Sequence, residues 1–358
     1  MYLQRSSCFY LCSGVSRKDQ SKKMSLLKVD KLSVGFRSGN RKDVLPVIDG
    51  VSFDIARGEI LALVGESGCG KSAGCLALTR LNAGSAVISG NSALFETRQG
   101  RQVDLLSLSP RELRKIRGRE IAYIFQEPLS SLNPVFRIGD QISEVLELHR
   151  PEILDRESEV RRLLAAVGIP DPGARMKNFP HELSGGMQQR VMIAMALAGN
   201  PSLLIADEPT TALDVTIQAQ IMELLEDLRR RNGTSIILIT HNFGVVAQLA
   251  DRVAVMYAGR IVECAPVSRL IADPRHPYTK ALLAAVPELG REHRKLVTIP
   301  GQVPAPADFP PGCRFCGRCR EMEGSFAERC RTEVPPAVEV GPGHFVSCWG
   351  TVNARECL

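Results

Sequence analysis

The octapeptide Gly65-Glu66-Ser67-Gly68-Cys69-Gly70-Lys71-Ser72 constrains this chain more than any other stretch. It follows the apolar run Ile60 to Val64, which reads as a fully buried strand, and it leads into Ser72 to Arg80, which can continue as a helix. Strand, glycine-rich loop and helix in that order form the setting a GxxxxGK[ST] phosphate-binding loop requires. Gly65, Gly68 and Gly70 let backbone N–H groups turn towards phosphate oxygens, where a Cβ would block the approach. Lys71 sets a point charge against the β- and γ-phosphates, and the Ser72 hydroxyl suits Mg²⁺. A glycine-rich turn with a chance Lys-Ser is the competing interpretation, and the preceding strand weighs against it. The loop alone implies a nucleotide and nothing more.

Two further strands end on chemistry. Asp207 and Glu208 close the run SLLIAD, and His241 follows SIILIT. Both sites are expected at the C-terminal edge of a parallel sheet, where open α/β folds bind ligands. One carboxylate can hold Mg²⁺, the next can polarise an attacking water as general base, and His241 can reach a γ-phosphate as donor. The segment LSGGMQQR places Ser184, Gly185 and Gly186 at the start of a helix running on through VMIAMALA, with Gln188 in its first turns. Exposed N–H groups and the helix dipole make a second anion site. One nucleotide does not need two such sites on one subunit, so the second is expected to serve the nucleotide of a partner.

The rest of the chain frames these motifs. From Leu32 the apolar residues alternate (Leu32, Val34, Phe36, then Val51, Phe53, Ile55), which predicts half-buried strands of an antiparallel layer. Phe36 ends the first of them and offers a flat face to a purine. IAYIF (Ile121 to Phe125) predicts another buried strand, ending in Gln126. Helical spacing sets in from about Leu129, and Ile217, Ile221, Leu224, Leu225 and Leu228 mark one amphipathic helix between the strands at 202–207 and 235–240. The fold class is therefore α/β, with a parallel core sheet and a helical insertion. A hairpin is expected to turn at Ala258-Gly259. Prolines then crowd QVPAPADFPPGC, which allows neither a continuous helix nor a central strand.

Composition narrows the classes. The 358 residues, 44% hydrophobic and 23% charged, suit a soluble protein of about two domains, and no apolar run approaches the roughly 18 to 20 residues of a membrane-spanning helix. The net charge of +6 comes without a long Lys/Arg block or interleaved aromatics, which argues against nucleic acid. Residues 1–24 lack periodicity and are expected to be a disordered tail or a stretch upstream of the true start.

The order GESGCGKS, FQEP, LSGGMQQR, LLIADEP, TALD, ITH resembles the ATPase subunit of an ABC transporter over residues 26 to about 265. The resemblance implies a P-loop ATPase domain at 25–268, with a mixed sheet core, an antiparallel β layer and a helical subdomain at about 129–200. It also implies site roles: ATP held by Phe36 and the loop 65–72, and Mg²⁺ by Ser72, Gln126 and Asp207. Hydrolysis would be supported by Glu208, His241 and Gln126. Ser184, Gly185, Gly186 and Gln188 would grip ATP across a dimer, with Asp214 in the inter-subunit loop. DPRHPYTKALLAAVP and IPGQVPAPADFPPGCRF are similar to the tail of oligopeptide and dipeptide importer ATPases, a group that includes nickel and glutathione importers. That implies a Cys/Pro-rich C-terminal module at 269–358 and peptides as cargo. Its partners would be a second ATPase subunit, two integral membrane permeases and an extracytoplasmic substrate-binding protein, met at the cytoplasmic face of the inner (plasma) membrane. In the same group four cysteines can hold an iron–sulfur cluster, here at the positions of Cys313, Cys319, Cys330 and Cys348.

Four soft thiolates suit either a [4Fe–4S] cluster or Zn²⁺, and uncomplexed thiols are a third possibility. Cys316 departs from the group's pattern by forming C-x₂-C with both Cys313 and Cys319. A soluble, non-transport ATPase of the same superfamily is the alternative to a transporter. Long coiled coils or two ATPase units in one chain would mark it, and this sequence has neither.

Overall fold

The computed structural model describes residues 25–37, 44–210, 215–285, 299–322 and 326–356. Its strands, in chain order, are β1 (Ser25–Arg37), β2 (Val44–Ala56), β3 (Ile60–Val64), β4 (Ala86–Ser89), β5 (Ser92–Glu96), β6 (Gln102–Asp104), β7 (Ile121–Ile124), β8 (Leu203–Asp207), β9 (Ser235–Ile239), β10 (Arg252–Tyr257), β11 (Arg260–Pro266), β12 (Val338–Gly341) and β13 (His344–Val346). The described residues form two compact units, one within Met1–Ile55, Leu61–Leu94 and His241–Leu358, the other within Ala56–Ile60 and Phe95–Thr240. The segment 1–24, expected as a tail, lies outside the described residues.

In the first unit β3 runs parallel to β10, in the register Leu61 opposite Arg252 to Val64 opposite Val255. Every residue of β3 is buried, as an unbroken apolar run requires of a strand covered on both faces. β10 turns back into β11 through Ala258 (φ 44°) and Gly259 (φ 82°), the primed turn whose twist suits a hairpin. β1 pairs antiparallel with β4, and β2 buries Val51, Phe53 and Ile55 on one face, so the expected period-two layer is present.

The C-terminal segment is continuous with this unit. β13 pairs antiparallel with β11, and β12 adds outside β13. The fully buried Glu263 of β11 accepts backbone N–H bonds from Arg275 (2.8 Å) and His276 (2.9 Å), and its carboxylate lies 2.7 Å from His344 Nε2. Burial alone would raise this carboxyl, but His344, Thr279 and the two N–H groups outweigh it and hold it below its usual range. The expected break at 268/269 is therefore not a boundary between compact units, because the later residues complete the edge of the same sheet.

In the second unit β7, β8 and β9 are parallel neighbours with β8 central. Helices Pro128–Ser131, Ile138–His149, Arg156–Ala166 and Gly185–Ala198 occupy the stretch expected to be helical. Val160, Leu163 and Leu164 bury one face of the Arg156–Ala166 helix, each worth about 1.5–3 kcal/mol of apolar burial. Asp155 starts that helix by accepting the Ser158 N–H at 3.1 Å. No helix among the described residues is long and apolar enough to cross a membrane.

Candidate nucleotide site

The loop 65–72 turns between β3 and the helix Lys71–Ala77, which is shorter than the expected Ser72 to Arg80. A Cβ at Gly65 would stand 2.1 Å from the Met256 carbonyl oxygen, and Gly70 caps the helix at φ 102°, so both positions exclude a side chain. Lys71 is buried, and its Nζ donates to the carbonyls of Gly65 (2.8 Å) and Glu66 (3.0 Å). Cys69 is buried too, and burial pushes its thiol up despite the nearby Lys71, so it remains a protonated, apolar filler. Its carbonyl accepts the Gly259 N–H at 2.9 Å, tying the loop to the hairpin turn. Ser67 and Gly68 are exposed, and Ser72 is half-buried at the helix start.

Glu66 is held by residues that sequence spacing did not suggest. Its N–H donates to the Tyr278 hydroxyl at 2.9 Å, and its carboxylate lies 3.0 Å from Arg318 Nη1. The partners are 212 and 252 positions away in the chain, which no local pattern can announce.

In the second unit Gln126, exposed just past β7, donates its side-chain amide to the Glu208 carboxylate at 3.3 Å. Asp207 ends β8, and Glu208 follows at φ 46°, a left-handed conformation uncommon outside glycine. The Glu208 N–H is fixed by the Ile239 carbonyl at 2.9 Å. Strain held at a polar strand end is characteristic of reactive sites. The structure thus brings Gln126, Asp207 and Glu208 together at the C-terminal ends of adjacent strands.

Ser184 caps the helix Gly185–Ala198, its hydroxyl accepting the Met187 N–H at 3.4 Å. A Cβ at Gly185 would meet nothing within 4 Å, so the helix start is bare on its outer side. A groove of about 850 Å³, lined among others by Ser184, Gly186, Met187 and Arg190, opens beside it. Gln188 departs from expectation. It is 5% exposed, and its amide turns inward to the carbonyls of Pro180 (2.8 Å) and Leu183 (3.1 Å). Those carbonyls need donors at the turn before the helix, so Gln188 shapes the Ser184 turn instead of facing a ligand.

Phe36 is half-buried, opposite Ala86 in the β1–β4 pair. His241 is exposed in the first unit, directly before Asn242, whose side chain caps the helix Phe243–Leu249. Asp214 lies outside the described residues.

Cys313, Cys319, Cys330 and Cys348, together with Cys316, line one cavity of about 480 Å³. All five are free thiols. Burial pushes Cys313 up to about 12 and Cys330 to about 11, and it raises Cys319 as well, with neighbouring thiols adding to each shift. His276 shares the wall, fully enclosed, and its Nε2 has no hydrogen-bond partner. The compact four-thiolate ligand set is not found: among the described residues no three His, Cys, Asp or Glu side chains are gathered to hold a metal ion. The five thiols share the lining of this cavity without being gathered into such a group.

Residues 48–211 match the family model described as ABC transporter, and residues 262–325 match that described as oligopeptide/dipeptide transporter, C-terminal region. A putative peptide import ATP-binding protein of Brucella ovis is 48% identical over 340 residues, covering 92% of this chain and 98% of that protein. The oligopeptide transport ATP-binding protein AppD of Bacillus subtilis is 47% identical over 329 residues, covering 91% and 96%. Among solved structures, the ATP-binding cassette MJ0796 in a dimeric post-hydrolysis state with ADP and Pi superposes with a TM-score of 0.58 at 26% identity, over 67% of this chain and 98% of that one. The cassette cbiO1 of Clostridium perfringens gives 0.54 at 27% identity, over 70% and 91%. The chain belongs to the ATP-binding subunits of ABC transporters, in the oligopeptide/dipeptide importer family. It has the cassette fold and is an ATPase.

Proposed function

We propose that this subunit powers the uptake of peptides by closing with a second ATPase subunit over shared ATP. One observation carries the reading: the region 262–325, which matches the C-terminal part of oligopeptide/dipeptide transporters, begins in β11 of the same sheet whose β3 leads into the phosphate loop. The names of the Brucella and Bacillus relatives support peptides as cargo, and the dimeric MJ0796 cassette supports pairing.

In this reading the loop 65–72 cradles the phosphates, Lys71 swings from its carbonyl anchors to the β- and γ-phosphates, and Phe36 stacks on the adenine. Ser72, Gln126 and Asp207 would hold Mg²⁺, which would supply charge neutralisation at the phosphate oxygens. Glu208 takes the proton of the attacking water, with Gln126 orienting its carboxylate and His241 donating to the γ-phosphate. Ser184, Gly185 and Gly186 bind the partner's ATP, so ATP favours the closed state and hydrolysis releases it. Asp214 belongs to the inter-subunit loop. Two membrane permeases and an extracytoplasmic substrate-binding protein complete the assembly, which this subunit joins from the cytoplasmic face of the inner membrane. An iron–sulfur group on Cys313, Cys319, Cys330 and Cys348 would need these thiols, which share one cavity but are not gathered to hold a metal, to close together.

Uptake of labelled dipeptides, nickel and glutathione by a deletion strain tests the cargo. Dipeptide uptake should be lost and then restored by the wild-type chain but not by Glu208→Gln. Intact dipeptide uptake with lost nickel or glutathione uptake would replace the cargo named here.

A further inference from the structure

Every polar group of Glu66 in the phosphate loop is engaged. Its N–H donates to the Tyr278 hydroxyl (2.9 Å), its carboxylate meets Arg318 Nη1 (3.0 and 3.1 Å), and its carbonyl accepts from Lys71 Nζ (3.0 Å) and from the Cys69 N–H (3.3 Å). Two of those holds come from the C-terminal segment, and the third connects directly to the lysine meant for the phosphates.

Both outside holds are themselves fixed. Arg318 also donates to the carbonyls of Pro300 (2.7 Å) and Gly301 (3.2 Å) and to the Tyr257 hydroxyl (3.3 Å), which sets its guanidinium in one orientation. The Tyr278 ring is fully buried and packs against Tyr257 (4.7 Å between centroids) and Phe315 (5.3 Å). Burial raises the Tyr278 phenol well above its usual range, so the hydroxyl stays neutral.

The same short segment reaches the thiol cavity. Cys316 and Cys319 lie on the cavity wall, and the single helical turn Cys316–Arg318 carries Arg318 between them. Backbone bonds from Cys316 to Cys313 (3.1 Å), Arg318 to Phe315 (2.9 Å) and Cys319 to Cys316 (3.3 Å) make this stretch one stiff unit. Phe315 lines the cavity on one side and touches Tyr278 on the other. A group entering the cavity and shifting this turn must move Arg318 or Tyr278, and therefore the Glu66 peptide.

We propose that the thiol-lined module acts on the phosphate loop through Glu66, with Tyr278 and Arg318 as the positioning residues. The inference rests on reading 65–72 as the phosphate loop and deepens that reading. By linkage, nucleotide on the loop must alter the turn as much as the turn alters nucleotide affinity.

The test uses the full chain, a fluorescent ATP analogue, and alkylation of Cys316, the thiol outside the expected ligand set, followed by mass spectrometry. Arg318→Ala and Tyr278→Phe should each weaken analogue binding by about fivefold or more, with partial recovery in Arg318→Lys. Nucleotide should change the Cys316 alkylation rate in the wild type and leave it unchanged in Glu66→Gln. Melting temperatures separate this from general damage: a lowered melting point with unchanged affinity counts against the proposal. Affinities within about twofold of wild type in all three variants, with nucleotide-insensitive Cys316, overturn it. Lys71→Ala separates the two levels. If it leaves analogue binding intact, the loop reading fails and takes this inference with it. If it abolishes binding while Arg318→Ala and Tyr278→Phe do nothing, only the coupling fails.

Discussion

The Gln126 side-chain amide donates to the Glu208 carboxylate at 3.3 Å, from the ends of strands that flank the same sheet position. An amide can orient a carboxylate without protonating it, which leaves Glu208 available as a base. Its backbone at φ 46° aims the side chain where an ordinary strand residue could not.

Glu208→Gln should retain ATP binding and lose hydrolysis by about 100-fold or more, the usual effect of removing a general base. Glu208→Gly should lose hydrolysis equally, yet gain roughly 1 kcal/mol in stability, because glycine relieves the left-handed conformation. Single-turnover hydrolysis and denaturant melts check the pair. A Glu208→Gly variant that is both active and no more stable would show that neither charge nor backbone matters there.

Lys71 is anchored on the Gly65 and Glu66 carbonyls, so in the proposed reading it would hold the loop as well as meet phosphate. Lys71→Ala is expected to weaken ATP binding more than ADP binding, since the lost charge faces the outer phosphates. Isothermal titration with both nucleotides reads the difference, and equal losses would place the lysine's role in loop structure alone.

Acid should weaken the C-terminal segment in a defined window. Burial lowers His276 to about 4, against attraction from Glu263 and with repulsion from Lys280, so the folded chain keeps the ring neutral. The unfolded chain takes up a proton near pH 6.5, so stability falls as pH drops from about 6.5 towards 4. Between pH 7 and 5 the loss is roughly 2 kcal/mol from this group. Glu263 is itself held below its usual range, so its stabilising charge is lost only at lower pH and does not confuse the window. Denaturant melts of wild type and His276→Gln at pH 7 and pH 5 should differ in pH slope, and identical slopes would contradict the assignment.

The local parts of this architecture were legible in the residues. Buried runs gave β3, β7, β8 and β9, and the acids at 207 and 208 stand at a strand end as their neighbours implied. What sequence could not convey depended on distance or direction. Gln188 sits one helical turn beyond Ser184, but the open carbonyls of Pro180 and Leu183 draw its amide inward. The β12–β13 pair was missed although VEVGPGHFV alternates around a Gly-Pro-Gly turn, because the proline-dense stretch before it suggested irregular chain. Cysteine spacing foretold a shared neighbourhood but not that, among the described residues, the thiols line a cavity without gathering into a metal-binding group.

Sedimentation of Glu208→Gln with and without MgATP, alone and mixed with its companion ATPase subunit, is the most direct test of the shared-nucleotide account. A two-subunit species should form only with ATP and disappear when Ser184 and Gly186 are replaced by bulky residues. A strict monomer in every mixture, with the wild-type monomer hydrolysing ATP at full rate, would contradict it.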